Sequence, residues 1–265
     1  MTLLQAIVLG FVQGASEFLP ISSSGHLVIF QALLGIEAEN IYLEVALHFG
    51  TLLAVVVYFR RDLVYLIGGT VRYLLTQNGR MYAEQFRMFL CLLVGTIPVA
   101  IGGSLLKDDL EATFESTAIT GGMLLMTAVL LLLTRMVSMK EKSVNYPRAL
   151  AIGVAQLVAI LPGISRSGST IATGMFLGVN PTRAARFSFL LSIPAVSAAF
   201  ILKLLDLAAE PVVTTDLVNY GVGALVAFLV GLAAIHYLLK LIATNRFWLF
   251  GFWCLAAGVL TLTYF

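Results

Sequence analysis

Two polar stretches interrupt an otherwise apolar chain: residues 18–26 read FLPISSSGH, and residues 161–169 read LPGISRSGS. Each places proline, glycine and serine in the middle of an apolar segment. The apolar arms beside each stretch are about 15 residues long, or roughly 22 Å of helix, which is shorter than the roughly 30 Å hydrocarbon core of a bilayer. The pattern therefore predicts two helical hairpins that enter the membrane and turn back.

The composition of the rest of the chain is that of a membrane protein. Of the 265 residues, 60% are hydrophobic and 11% are charged, whereas a soluble domain carries roughly 25% charged residues. Runs without charge predict six spans, at about 41–59, 86–106, 118–136, 184–203, 218–238 and 247–264. We predict a single all-α polytopic membrane domain over 1–265, with six transmembrane helices and two re-entrant broken hairpins. The dispersed basic residues exclude a nucleic-acid partner.

The two hairpins resemble each other at a constant offset of 143 positions. Identical pairs include Gly10 and Gly153, Gln13 and Gln156, Ile21-Ser22 and Ile164-Ser165, Ser24-Gly25 and Ser167-Gly168, and Leu34-Gly35 and Leu177-Gly178. Three predicted spans follow each hairpin. This order indicates an inverted-topology repeat, whose broken helices meet near the midplane of the bilayer. Repeat 1 covers about 1–136, repeat 2 covers about 149–265, and 137–148 is a cytoplasmic linker.

Loop charges predict how the chain lies in the membrane. The segments 60–87, 135–148, 183–186 and 240–246 hold thirteen of the sixteen Lys and Arg residues. The segments 37–44, 107–115 and 203–216 hold ten of the fourteen acids. The positive-inside rule assigns the first group to the cytoplasm. Six crossings then put both termini outside, and the first hairpin enters from the outer face.

Two charged residues remain inside the apolar segments, and each lies at one of the breaks. Glu17 precedes the serines of the first break, and Arg166 lies within the second. An ionisable residue inside a membrane is a candidate functional group, although an ion pair that only holds the hairpins together is an alternative. Serine and glycine around both residues, and the helix that starts after each break, offer N–H groups to an anion. Because a guanidinium chelates phosphate oxygens, we expect a phosphate or diphosphate here.

Catalysis needs a nucleophile or a proton carrier beside the anion. His26 follows the serine cluster and can attack or transfer a proton near neutral pH. Glu17 can bind a divalent cation or orient His26, and Gln13 lies one helical turn before it and can supply a neutral ligand. Of the other two histidines, we assign His48 to packing or to support of the site from outside it, and His236 to a cytoplasmic helix end.

The same residues carry a resemblance to a known family. Gln13, Glu17, Phe18-Leu19-Pro20, Ser22-Ser23 and Gly25-His26 fit one motif, and Pro162-Gly163, Ser165-Arg166-Ser167-Gly168 and Thr170 fit a second. With these motifs the chain resembles the undecaprenyl-diphosphatases of the bacitracin-resistance type over nearly its whole length. The first motif position is often glutamate in that family and is Gln13 in this chain.

The resemblance implies hydrolysis of undecaprenyl diphosphate to undecaprenyl phosphate and phosphate, which recycles the carrier lipid for cell-wall synthesis. It implies a bacterial cytoplasmic membrane location, a site open to the outer face and a divalent cation, Mg²⁺ or Ca²⁺, held by Glu17 and Gln13. The predicted catalytic residues are Glu17, Ser23, His26 and Arg166. The predicted substrate-binding residues are Ser22, Ser24, Gly25, Gly163, Ser165, Ser167, Gly168 and Thr170.

Three matters stay open on the sequence. Ser23, His26 and water are all candidates for the attacking group. Inverted repeats with broken helices are also a transporter design, so a lipid-phosphate transporter or flippase is the alternative function. The sequence does not decide whether the chain forms a homo-oligomer.

Overall fold

The structure, a computed structural model, describes residues 1–36, 41–105, 116–137, 141–208 and 216–264. Within these ranges the chain forms eleven α-helices and no β-strand. They are α1 Leu3–Phe18, α2 Ser23–Leu33, α3 Ile41–Tyr58, α4 Arg60–Leu75, α5 Ala83–Leu105, α6 Thr117–Leu133, α7 Tyr146–Val158, α8 Arg166–Phe176, α9 Pro181–Ala208, α10 Leu217–Ala243 and α11 Phe250–Tyr264. The prediction of an all-α polytopic membrane protein is confirmed.

The two predicted breaks separate α1 from α2 and α7 from α8. The four helices have 16, 11, 13 and 11 residues, so each is too short to cross the roughly 20-residue thickness that a span requires. Residues 19–22 and 159–165 form the turns. The second helix of each pair begins at an equivalent position, at Ser23 in one and Arg166 in the other, 143 residues apart.

Five helical segments are long and apolar enough to cross a membrane: Gly79–Leu105, Thr117–Met136, Pro181–Leu205, Leu217–Ala243 and Phe247–Tyr264. The predicted span at 41–59 corresponds to α3, which is followed by α4 after a bend of 68°, and the bent pair brings the number to six. Large apolar side chains such as Leu93, Ile97, Leu225 and Leu229 are exposed on the outside of the bundle. In a membrane protein these side chains face lipid.

Close packing between small residues fixes how the hairpins meet the long helices. The first arm α1 packs on α10, and the first arm α7 packs on α5. A Cβ atom added to Gly10 would lie 2.4 Å from the carbonyl oxygen of Gly223, and one added to Gly153 would lie 2.2 Å from that of Gly95. Because lipid tails are as apolar as leucine, such close backbone approach is a main source of helix association in membranes.

The second arm of each hairpin ends in the same way. Gly35 after α2 and Gly178 after α8 have φ angles of 65° and 78°, a left-handed conformation that glycine adopts without strain. After Gly178, residues 178–180 pair with Lys142 of the linker.

The repeat boundaries at about 136 and 149 stay a prediction. The acid-rich loop 107–115 and parts of 37–44, 137–148 and 203–216 lie outside the described residues.

The glycine crossing gives a stability prediction. Gly153→Ala should lower the free energy of unfolding in detergent by about 1–3 kcal/mol, the usual cost of overpacking, because the new methyl group would meet the backbone of Gly95. Gly122→Ala is the control, since no atom of the described residues outside its own stretch of helix lies within 4 Å of its added Cβ and alanine favours helix. Equal stability of the two variants would contradict the packing described for α7 and α5.

Candidate active site

A cavity of about 240 Å³ lies where the two breaks meet. Its polar wall comes from the end of α1, the start of α2 and the start of α8, and α3 adds one imidazole. Gln156 of α7 adds an amide, and apolar residues of α5, α9 and the turn at 159–165 complete the wall. The lining residues are Ser16, Glu17, Ser22, Ser23, Ser24, His48, Val99, Gln156, Ala159, Ile160, Ile164, Ser165, Arg166, Ala195, Val196 and Ala199.

The Glu17 carboxylate is the centre of the polar contacts. Its Oε1 accepts a hydrogen bond from Arg166 Nη2 at 2.5 Å, and its Oε2 accepts one from Ser23 Oγ at 2.6 Å. Gln13 Nε2, one turn earlier on α1, donates to the same Oε2 at 3.1 Å. The carboxylate is therefore held in one orientation by donors from both hairpins.

Arg166 links the hairpins and still faces the cavity. The ion pair with Glu17 is mostly buried, with 8% of the Glu17 side chain and 23% of the Arg166 side chain exposed. Among the described residues, the guanidinium donates to no group other than Glu17. Its remaining N–H groups are free to bind phosphate oxygens in the planar geometry that arginine offers.

Two helix N-termini also face the cavity, through the serines that begin α2 and α8. Ser165 caps α8, and its hydroxyl accepts the Gly168 N–H at 3.0 Å. Ser22 precedes α2 with a φ angle of 69°, a conformation that costs a residue with a side chain about 1 kcal/mol or more and is frequent at functional sites. The positive ends of both helices favour an anion in this cavity.

His26 lies beside the first break, but it is not among the residues that line the cavity. Its ring is 2.9 Å from the Ser22 carbonyl oxygen through Nδ1. Its Nε2 accepts a hydrogen bond from Trp253 Nε1 of α11, also at 2.9 Å. Both ring nitrogens are therefore occupied, and the ring holds the strained backbone of Ser22 in place. The predicted catalytic role of His26 stays a prediction.

Several other predicted site residues pack the breaks together rather than line the cavity. A Cβ on Gly163 would lie 2.3 Å from the Thr120 carbonyl oxygen of α6, and one on Gly25 would lie 3.7 Å from the Cα of Gly163. Ser167 Oγ donates to the Leu19 carbonyl, and Gly168 donates to Ser165. The hydroxyl of Thr170 is 2.5 Å from that of Ser188. Of the predicted residues, Glu17, Ser22, Ser23, Ser24, Ser165 and Arg166 line the cavity.

Three polar residues of the cavity wall were not predicted as site residues: Ser16, His48 and Gln156. His48 Nδ1 is 2.9 Å from the Glu44 carbonyl, one turn earlier on α3, and within the described ranges its Nε2 has no partner. The sequence assigns His48 to packing or to support of the site rather than to catalysis, and the structure places it in the cavity wall. Its position on α3 carries no local sequence signal, because only the packing of α3 against the hairpins turns this face inward.

The fold and this cavity define a polytopic membrane protein with a polar cavity, lined by one guanidinium and two helix N-termini, at the junction of two broken hairpins. Residues 6–260 match the family described as Bacitracin resistance protein BacA. The chain belongs to this family.

Similar proteins extend over the same length. The chain is 42% identical over 268 residues to the undecaprenyl-diphosphatase of Desulfosudis oleivorans, covering 98% of this chain and 97% of that protein. It is 40% identical to the undecaprenyl-diphosphatase of Methanosphaera stadtmanae, covering 98% and 97%. It is also 40% identical to that of Korarchaeum cryptofilum, covering 99% of each chain. The resemblance inferred from the two motifs is confirmed.

The contacts of His26 allow its two roles to be separated. The side-chain amide that His26→Asn introduces can donate to the Ser22 carbonyl as Nδ1 does, but it has no group in the place of Nε2. If His26 acts by holding Ser22, His26→Asn should keep phosphatase turnover within about tenfold of wild type. The turnover of His26→Ala should be lower than that of His26→Asn by a further factor of about ten or more. Turnover in detergent micelles measures both. Equal and complete loss in the two variants would contradict a holding role and favour catalysis by the ring.

Proposed function

We propose that this protein hydrolyses undecaprenyl diphosphate to undecaprenyl phosphate and inorganic phosphate. Membership of the family and the name shared by relatives at about 40% identity support this activity. The cavity supports it independently, because one guanidinium and two helix N-termini form a site for a phosphate group within a membrane domain. The substrate combines a diphosphate with a long apolar chain, and the surrounding bilayer suits that chain.

The hydrogen bond between Ser23 and Glu17 is the observation that carries the mechanism. A nucleophilic hydroxyl needs a base within hydrogen-bond reach, about 2.6–3.2 Å, and the Ser23 Oγ to Glu17 Oε2 distance is 2.6 Å. The guanidinium of Arg166 orients the carboxylate from its other oxygen. Ser23 also begins helix α2, whose positive end favours the incoming phosphate. We therefore assign the attack to Ser23 and proton removal to Glu17.

In the first step, Ser23 Oγ attacks the terminal phosphorus while Glu17 accepts the hydroxyl proton. An Oγ–phosphorus bond forms and the bond from phosphorus to the bridging oxygen breaks, with its electron pair leaving on the polyprenyl phosphate. The proton on Glu17 passes to that leaving phosphate. Arg166 binds the equatorial oxygens, where charge develops in the transition state.

In the second step, water hydrolyses the phosphoserine. Glu17, ionised again, accepts a proton from the water as its oxygen attacks phosphorus. The phosphorus–Oγ bond breaks, inorganic phosphate forms and the proton returns from Glu17 to Ser23 Oγ. The residues are then in their starting state. His48 Nε2, also in the cavity wall, offers a second acceptor that can bind a protonated phosphate oxygen.

A divalent cation fits the residues that the sequence predicts for it. A carboxylate has about four lone-pair positions, and Arg166, Ser23 and Gln13 use three of those on Glu17. The Oε1 atom of Gln13 is buried and has no partner among the described residues. Glu17 and Gln13 Oε1 would hold Mg²⁺ or Ca²⁺. The bound cation would neutralise part of the diphosphate charge.

The position of the cavity along the helices supports an opening to the outer face. Loop charges orient α3 and α10 from outside to inside, and α5 and α9 in the reverse direction. His48 lies in the first half of α3, whereas Val99 and Ala199 lie in the second halves of α5 and α9. All three wall positions therefore fall in the outer half of the membrane. Both termini, by the same orientation, lie outside.

A phosphate-release assay tests the function. We expect the purified protein to release inorganic phosphate from undecaprenyl diphosphate in micelles with Mg²⁺ or Ca²⁺, and to lose this activity in a chelator. The same protein in liposomes measures transport of the lipid phosphate between leaflets. Absence of phosphate release together with cation-independent lipid transfer would contradict the phosphatase and favour a transporter.

Variants in the same assay test the assigned roles. Ser23→Ala and Glu17→Gln should each reduce turnover by at least about 10³-fold, as loss of a nucleophile or its base does in other hydrolases. Acid-quenched wild-type protein should carry a labelled phosphoserine that Ser23→Ala lacks. Ser192→Ala is the control, because Ser192 is a buried hydroxyl on α9 that bonds to the Phe189 carbonyl outside the cavity. Near-normal turnover in Ser23→Ala would show that Ser23 is not the nucleophile and would favour attack by water.

A further inference from the structure

Among the described residues of the cavity wall, Gln156 is the one whose side-chain polar atoms have no partner at all. It lies on α7, one turn before the second break, and only 2% of it is exposed. Neither its Nε2 nor its Oε1 has a hydrogen-bond partner within the described part of the chain. Burying an amide without partners is costly, and such groups in native proteins indicate a missing partner. The cavity that Gln156 lines is the place where that partner can bind.

Comparison with the first hairpin explains why this amide is free. Gln13 on α1 lies at the position equivalent to Gln156, at the same offset of 143 residues. Gln13 donates to Glu17 four residues later. The residue four positions after Gln156 is Ile160, an apolar side chain that offers no acceptor. The second hairpin therefore keeps the glutamine and lacks the carboxylate to which the first glutamine donates.

The ligand for this amide follows from the charges around it. Arg166 and two helix N-termini make the cavity attractive to an anion, and an anion with several oxygen atoms accepts hydrogen bonds. Glutamine Nε2 carries two N–H donors. A neutral donor binds a phosphate oxygen without adding a second buried cation beside Arg166, whose charge Glu17 already balances.

We propose that Gln156 is a substrate-positioning residue that donates a hydrogen bond to a phosphoryl oxygen of the diphosphate. This role rests on the proposed phosphatase function and adds a residue from the second hairpin that lies outside both sequence motifs. Gln156 then fixes the diphosphate from the α7 side while Arg166 binds it from the α8 side. The terminal phosphorus is held in line with Ser23 by contacts from both hairpins.

The test uses Gln156→Leu, which keeps the approximate shape of the side chain and removes both polar atoms. We expect its affinity for inorganic diphosphate, measured by calorimetry in micelles, to fall about tenfold, the usual loss of a hydrogen bond to a charged group. KM for undecaprenyl diphosphate should rise by a similar factor. Thermal stability should be unchanged or higher, because two unpartnered polar atoms are removed. Unchanged diphosphate affinity would overturn the proposal and indicate a buried water as the partner.

Two further variants separate this proposal from its alternatives. Gln85→Leu is the matched control, because Gln85 is also buried with an unpartnered Oε1 but lies at the start of α5, outside this cavity. It should leave diphosphate affinity unchanged. Gln156→Glu replaces the donors with a charged acceptor and should weaken binding more than Gln156→Leu. Tighter, cation-dependent binding in Gln156→Glu would overturn the donor role and make position 156 a cation ligand.

Calorimetry also distinguishes failure of this inference from failure of the phosphatase assignment. Diphosphate binding is measured without turnover. The affinities of wild type and Gln156→Leu can therefore be compared even if the wild-type protein releases no phosphate. If the wild-type protein hydrolyses the lipid and Gln156→Leu has unchanged diphosphate affinity and KM, Gln156 is not a substrate-positioning residue. The phosphatase assignment then stands. If the wild-type protein binds diphosphate without hydrolysing the lipid, and Gln156→Leu binds diphosphate more weakly, Gln156 contacts the anion. The phosphatase assignment is then rejected.

Discussion

A carboxylate and a guanidinium can both remain charged inside a bilayer only when they are paired or solvated. Glu17 and Arg166 are paired across the two hairpins, although 149 positions separate them in sequence. This pairing determines much of the local structure. Glu17 lies at the end of α1 and Arg166 at the start of α8, so their ion pair joins the two breaks. Irregular backbone is tolerated there because it lines a cavity and packs against α6.

A nearly symmetric scaffold produces an asymmetric site. Ser23 and Arg166 occupy equivalent positions in the two hairpins, and both donate to the same carboxylate, Ser23 to one oxygen and Arg166 to the other. Glu17 has Ile160 as its counterpart. In the proposed mechanism one hairpin thus supplies the base and the attacking hydroxyl, and the other supplies the guanidinium that binds phosphate. The predicted repeat would account for the similar geometry of the two hairpins, and the sequence differences between them at positions 17 and 160 and at 23 and 166 give each hairpin its own polar groups.

The sequence predicts the parts of this structure that depend on local signals. The two breaks, the membrane spans and the charges at Glu17 and Arg166 all follow from residue types that are rare inside a bilayer. His48 and Gln156 could not be found in this way, because each lies in an ordinary helix and reaches the cavity only through the packing of α3 and α7. The tie between His26 and Trp253 spans 227 residues and has no local pattern. Gly25 and Gly163 are predicted to bind the substrate, which stays a prediction, and the sequence does not show that they also lie close to each other and to Thr120.

A double-mutant cycle on the ion pair tests this arrangement most directly, with Glu17→Gln, Arg166→Gln and the double variant unfolded reversibly in mixed micelles. Each single change leaves a buried charge without its partner and should cost about 3–5 kcal/mol. The double variant removes both charges, so its loss of stability should be at least about 2 kcal/mol smaller than the sum of the two single losses. Additive losses, within about 0.5 kcal/mol, would contradict the claim that Glu17 and Arg166 hold the two hairpins together.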